Sequence, residues 1–281
     1  MNDPGPNVLL MGESGAGKTH SLRTLAAAGI ELRCIFTEPR YAPLRDIPCS
    51  QGVHIATNFP TTGDWEALLK KATDLTNLSW EMLMKQTSPA LIKKQYRGLI
   101  TLFEILHNYK CIRCGEEFGD ASTWGNETAL VIDSLSGINH LAFEAVVGGS
   151  VMKTLPQWGA AMDIELQLVN KCCYDTHSWF VLTAHLDRLV DELHGGFLIQ
   201  VNALGRKNAP EMPKNFDDVI LVKKEGDRFS WSTAATGVAT KPTYLPLSDN
   251  LPPTFAPMVE AWRARGTMSH SDMVPNQLPS S

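Results

Sequence analysis

The sequence predicts an α/β protein with a mainly parallel central sheet flanked by helices and a β-hairpin near its C-terminal end. Three stretches carry that expectation. Gly12-Glu13-Ser14-Gly15-Ala16-Gly17-Lys18-Thr19 fills G-x-x-x-x-G-K-[ST] at every fixed position, between an apolar run and a helical stretch. Thr128–Ser134 and Ser178–His185 are apolar runs without alternation, as in strands covered on both faces. Lys224-Glu225-Gly226-Asp227 parts two strand-like runs, Asp217–Val222 and Arg228–Thr233, and reads as the turn of the hairpin.

Taken in order, Asn7–Met11 is a short apolar strand leading into the glycine-rich loop. His20–Ala28 puts Leu22 and Leu25 on one helical face, and Gly29 is a stop signal. Glu31–Phe36 reads as a second strand, ending in Thr37-Glu38-Pro39-Arg40. A helical stretch spans Thr62 to about Tyr109, broken at Ser88-Pro89. Trp65, Leu68, Leu69 and Ala72 suit one apolar face of it, and Leu99, Leu102, Phe103, Leu106 and Tyr109 another. After the strand at Thr128 come a helix through His140–Val147, a loop at Gly148–Lys153 and a helix from Met162 to about Tyr174. Leu186–Gly196 reads as a charged loop, Phe197–Val201 as a strand, and Leu204–Pro210 as a tight turn carrying Arg206 and Lys207. A proline-rich stretch, a short helix from Pro257 to Arg265 and a disordered tail over 267–281 close the chain. The organisation expected is one core over 1–266 with a helical, cysteine-bearing insertion at about 60–125.

Composition narrows the classes. Of 281 residues, 43% are hydrophobic, enough for a substantial core. The net charge of −5 shows no global basic footprint. Six cysteines in a chain this long do not read as a disulfide scaffold. With no signal-like apolar segment and no stretch of the ~20 residues that a membrane span needs, a reduced, soluble, cytoplasmic protein without membrane contact is expected.

The chemistry begins at the loop. Its glycines let successive N–H groups of Gly12, Glu13, Ser14, Gly15, Ala16, Gly17, Lys18, Thr19 and His20 turn towards phosphate oxygens at a helix N-terminus. Lys18 is expected at the β- and γ-phosphates, and Thr19 as a ligand of Mg²⁺. The chain is therefore expected to bind a nucleoside triphosphate. Asp133, closing its strand, is the second candidate for the Mg²⁺ shell. Glu38 is either a carboxylate that orients an attacking water or a solvated strand-end glutamate. His185 is either a sensor of the γ-phosphate or a satisfied strand-end histidine. Cys111-Ile112-Arg113-Cys114-Gly115 has the form of one zinc knuckle. Two further ligands for Zn²⁺ would come from His107, Cys34, Cys49, Cys172 or Cys173, or from another subunit, while Cys172 and Cys173 also read as packed.

With these parts placed, the chain resembles the RecA-like ATPases, most closely the RecA-like ATP-binding proteins of tailed phages, some of which are recombinases or single-strand annealing proteins. The resemblance spans Val8 to Trp262 and rests on Gly12–Thr19, Cys34–Glu38, Leu130–Leu135, Phe180–His185, Leu204–Lys207 with Ala209-Pro210, and Phe216–Val219. It implies that Glu38 is the catalytic base and that His185, where bacterial RecA has Gln, couples nucleotide state to a DNA-binding loop. The two DNA-facing loops would fall near Gly148–Ala161 and Leu186–Gly196, with Lys153 and Arg188 as their cations. The function it implies is a homo-oligomeric Mg²⁺-dependent ATPase, ring or filament, that grips single-stranded DNA in the host cytoplasm. Arg206 or Lys207 would supply a cation to a neighbouring subunit's site. A nucleoside kinase of the thymidine-kinase type and a nucleotide-gated assembly factor that does not hydrolyse ATP are the alternatives.

Overall fold

A computed structural model of the chain describes residues 4–39, 41–59, 97–148, 154–190 and 197–266, with 65, 66, 69, 72 and 73 besides. The first elements are β1 (Asn7–Gly12), α1 (Lys18–Ala27), β2 (Glu31–Phe36) and β3 (Val53–Thr57). There follow α2 (Gly98–His107), β4 (Tyr109–Lys110), β5 (Glu117–Gly119), β6 (Thr128–Asp133) and α3 (Leu135–Val147). The second half adds α4 (Leu155–Tyr174), β7 (Trp179–Ala184), β8 (Leu186–Val190) and β9 (Phe197–Val201). It closes with α5 (Gly205–Glu211), β10 (Asp218–Glu225), β11 (Arg228–Ser232) and α6 (Ala256–Gly266).

Seven strands form the central sheet in the order β11-β10-β1-β7-β6-β2-β3. All its pairings are parallel except the β10–β11 hairpin. The unalternating runs are buried because both faces of the sheet are covered. Val8, Leu10, Val131 and Val181 point to one side, where Leu22 and Leu25 of α1 and Met258, Val259 and Trp262 of α6 pack. Leu9, Met11, Leu130, Ile132 and Phe180 point to the other, against Leu99 and Leu102 of α2, Leu135, Ile138 and Leu141 of α3, and Leu168 and Val169 of α4. Each such aliphatic side chain contributes about 1.5–3 kcal/mol on burial. Because the strands run parallel, β1, β2, β6 and β7 all end on the same edge, and the loops leaving them form one crevice.

The α/β class, the mainly parallel sheet and the C-terminal hairpin agree with the sequence reading, and several local readings are corrected. Leu204–Pro210 is not a tight turn, because α5 starts at Gly205. The helix read up to Tyr109 stops at His107, and Tyr109 is a buried β4 residue whose hydroxyl donates to the Cys34 carbonyl. Leu186–Val190 is not loop but β8, paired antiparallel with β9. Trp65 and Leu69, read as part of one apolar face, are 87% and 69% exposed. Periodicity says which residues share a face, not what lies over it. β3 has no counterpart in the sequence reading. The break at Ser88-Pro89, Lys153 and the tail from 267 lie outside the described residues. Among the described residues no helix is long and apolar enough to cross a membrane.

Candidate functional site

The glycine-rich loop leaves β1 and turns into α1 through Gly17, whose φ of 97° is left-handed backbone that favours glycine. It opens on a cavity of about 840 Å³ lined by Ser14 to Ser21, Phe36, Glu38, Pro39, Ala42, Pro43, Asp133, His185, Phe229 and Pro253. Ser14 through His20 thus line the cavity. Gly12 and Glu13 sit at the root of the loop, where their carbonyls accept from Lys18 Nζ at 2.8 and 3.0 Å. Burial pushes the Lys18 ammonium below its ordinary range, against the pull of Asp133, Glu38 and Glu13.

Asp133 reaches the loop although β7 separates its strand from β1. Its Oδ2 accepts from Thr19 Oγ1 at 2.6 Å, and its Oδ1 from Thr183 Oγ1 at 2.5 Å. Burial raises the Asp133 carboxyl above the usual carboxylate range, and these hydroxyls and Lys18 oppose that rise. Thr19 and Asp133 together offer the hard oxygen donors that suit Mg²⁺.

Glu38 is held from α3. Ser134 Oγ donates to Glu38 Oε1 at 2.6 Å. Thr37 and Ser134 are themselves locked together: Thr37 Oγ1 donates to the Ser134 carbonyl at 2.8 Å and accepts from the Ser134 N–H at 2.9 Å. The Asp133–Ser134 peptide is cis. His185 closes the ring of groups, with Nδ1 3.5 Å from Lys18 Nζ and Nε2 4.0 Å from Glu38 Oε2. The β8–β9 hairpin that follows His185 is tied to the loop by Arg188, which donates to Glu13 Oε1 at 2.5 Å.

Arg206 and Lys207 are exposed on α5 and do not line this cavity. The zinc reading is corrected in its ligands. Cys49, His54, Cys111 and Cys114 gather beside β3, at the far edge of the sheet. His107 instead faces Asp120 at 3.1 Å, Cys34 is buried within β2, and Cys172 and Cys173 are buried in the last turn of α4 against the core. Sequence reasoning missed His54, although Cys49 and His54 form a C-x₄-H pair. It also missed Thr37, Thr183, Gly137, Phe229 and Pro253. The polar Thr183 inside an otherwise apolar run was a usable signal, whereas Phe229 of β11 and Pro253 are recruited from far along the chain and the parts of Thr37 and Gly137 appear only where β2 meets α3.

No known family profile matches the chain, and no curated protein matches it. Among solved structures, it is similar over 79% of its length to an ATPase described as "a prototypical ATPase from the type III secretion system of pathogenic bacteria". Identity is 14% and the TM-score 0.40, and the chain spans about half (53%) of that protein.

Proposed function

We propose that the protein is a RecA-like ATPase that binds and hydrolyses ATP with Mg²⁺ and uses the cycle to grip single-stranded DNA as a homo-oligomer, as in phage recombination or replication. The observation that carries the reading is the convergence of Lys18, Thr19, Asp133, Glu38 and His185 on one cavity, from four separate strand ends. The loop amides and Lys18 bind the phosphate tail, whose negative charge favours the ammonium of Lys18 against the burial that opposes it. Thr19 and Asp133 hold Mg²⁺, and the ion when bound neutralises charge on the phosphates. Glu38, oriented by Ser134, accepts a proton from the attacking water. His185, between Lys18 and Glu38, feels whether a terminal phosphate is present. Its chain continues directly into β8, so the same hairpin that Arg188 ties to Glu13 carries that state outward.

The experiment is nucleotide binding and phosphate release in wild type and Glu38→Gln. The variant keeps ATP affinity and loses turnover by on the order of 10²–10⁴. Unchanged turnover removes the role of Glu38, and no binding heat with ATP and Mg²⁺ removes the whole reading. For DNA, affinity for a single-stranded oligonucleotide is measured with and without ATP over a salt series, where phosphate contacts give a steep slope. No ATP-dependent binding at low salt removes DNA from the proposal. Nucleoside monophosphate formed from added nucleoside would make the protein a kinase instead.

A further inference from the structure

We propose that Cys49, His54, Cys111 and Cys114 hold one structural Zn²⁺, and that this ion fixes the segment between β2 and β3 that forms one wall of the cavity. The proposal concerns a different edge of the sheet and stands whether or not the cavity takes ATP.

Geometry carries the metal. Tetrahedral zinc, with Zn–S of about 2.3 Å and Zn–N of about 2.0–2.1 Å, sets neighbouring sulfurs about 3.8 Å apart and sulfur and nitrogen about 3.6 Å apart. Cys49 Sγ lies 3.8 Å from Cys111 Sγ, and Cys114 Sγ lies 3.6 Å from His54 Nδ1. All four ligand atoms are within 4.8 Å of one another. A disulfide would bring two sulfurs to about 2.05 Å, and none of these cysteines forms one.

The surroundings match a metal centre as well. The other ring nitrogen of His54, Nε2, lies 3.9 Å from Glu31 Oε1, beyond hydrogen-bond reach, and that oxygen accepts from Arg33 Nε at 2.8 Å; the His54 ring itself is buried against Phe118. The Ile55 N–H donates to Cys111 Sγ at 3.4 Å, which suits a thiolate. Gly115, at φ 77°, turns the knuckle so that its N–H donates to the Cys111 carbonyl at 2.9 Å. Four protein ligands leave no open position, so the site is structural rather than catalytic.

The second half of the proposal follows from what the knuckle grips. Arg113 lies between the two knuckle cysteines. Its guanidinium donates to the Ile47 carbonyl at 2.8 Å, the Arg45 carbonyl at 3.4 Å and the Val53 carbonyl. Cys49 ties the same segment to the metal. From the cavity side, Arg23 of α1 donates to the Pro43 carbonyl at 2.7 Å and pairs with Asp46. Pro39, Ala42 and Pro43 of this segment line the cavity just beyond Glu38. With the ion gone, the Cys49 and His54 anchors separate from the knuckle, and the wall keeps only its contacts to Arg23 and Arg113.

The test starts with elemental analysis of the full chain purified without added zinc, expected to give about one zinc per chain. A folded, metal-free chain overturns the proposal. Cobalt(II) exchanged into the protein should show thiolate-to-metal charge transfer and the intense ligand-field bands of a tetrahedral centre; a weak octahedral spectrum overturns it. Cys49→Ser and His54→Ala should each lose the metal against a competing chelator, while Cys172→Ser, within α4 and outside the four-residue cluster, keeps it. Metal retained in both ligand variants overturns the ligand set. If those variants fail to fold, Cys114→Ser at the exposed end of the knuckle serves, expected to lose the metal to the chelator, and unchanged retention overturns the ligand set. On removing the metal from wild type, amide exchange should rise across 41–53 and stay unchanged in β6 and β7. Unchanged exchange across 41–53 overturns the wall.

Discussion

A Cβ added at Gly137 would lie 2.1 Å from Thr37 Oγ1 and 2.9 Å from the Thr37 carbonyl. The first turn of α3 can therefore lie against the end of β2 only because residue 137 has no side chain, and that contact is what allows the Thr37–Ser134 pair to orient Glu38. Gly137→Ala is expected to cost about 1–3 kcal/mol of stability by overpacking and to lower ATP turnover with it. His140→Ala, on the exposed face of the same helix, should stay within about 0.5 kcal/mol of wild type. Thermal melting and phosphate release on both variants check this. At the cavity mouth, Phe229 lies beside Gly17, so that a Cβ there would sit 3.2 Å from its ring. An exposed ring over the phosphate loop suits stacking on a base. Phe229→Ala should weaken ATP binding roughly 2- to 10-fold with little change in kcat. Steady-state kinetics that leave KM unchanged would remove that role.

Helices α4 and α5 are joined through one buried carboxylate. Glu165 of α4 is fully buried and accepts the Leu204 N–H at 3.1 Å, just ahead of α5, and Asn208 Nδ2 at 2.7 Å. Burial raises its carboxyl above the ordinary 4.5, even against these donors. As pH rises through the window above 4.5, the unfolded chain releases its proton before the folded one does. The folded state then holds more protons, and this group's ionisation subtracts stability with increasing pH. Glu165→Gln has no proton to lose. The wild-type advantage over the variant should therefore shrink as pH rises above 4.5 in urea denaturation. A constant difference would show that the carboxyl is not raised. The same carboxylate fixes the helix that displays Arg206 and Lys207, so a loosened α5 should also lower turnover.

For the molecule as a whole, the exposed position of Arg206 outside the cavity has a consequence. On the proposed reading it acts on a nucleotide held by a neighbouring copy, and a head-to-tail contact of that kind would generate a ring or filament. Glu38→Gln and Arg206→Ala should each be inactive alone. Mixed in equal amounts they should recover about a quarter of wild-type turnover, because an Arg206→Ala subunit has a sound Glu38 and its neighbour supplies the cation. No recovery in an assembly shown by mass to be mixed would rule out Arg206 acting between subunits. Arg206→Ala should leave ATP affinity unchanged in the same preparation.

The phosphate loop, the strand-ending residues Glu38, Asp133 and His185, and the covered strands were legible because each depends on residues next to one another in sequence. Backbone conformation at Gly17 and burial along β6 or β7 follow from local composition. What the sequence could not decide is which distant groups meet. Thr37 locks to Ser134 from 97 residues away, which depends on β2 pairing with β6, whereas the placing of Asp133 near Thr19 was read from the loop motif and the strand-end position. The Cys49–His54 spacing is local, but its meeting with the knuckle is not: Cys111 comes to Cys49 from 62 residues away, and closure over such a span is decided by packing elsewhere and not by any local preference.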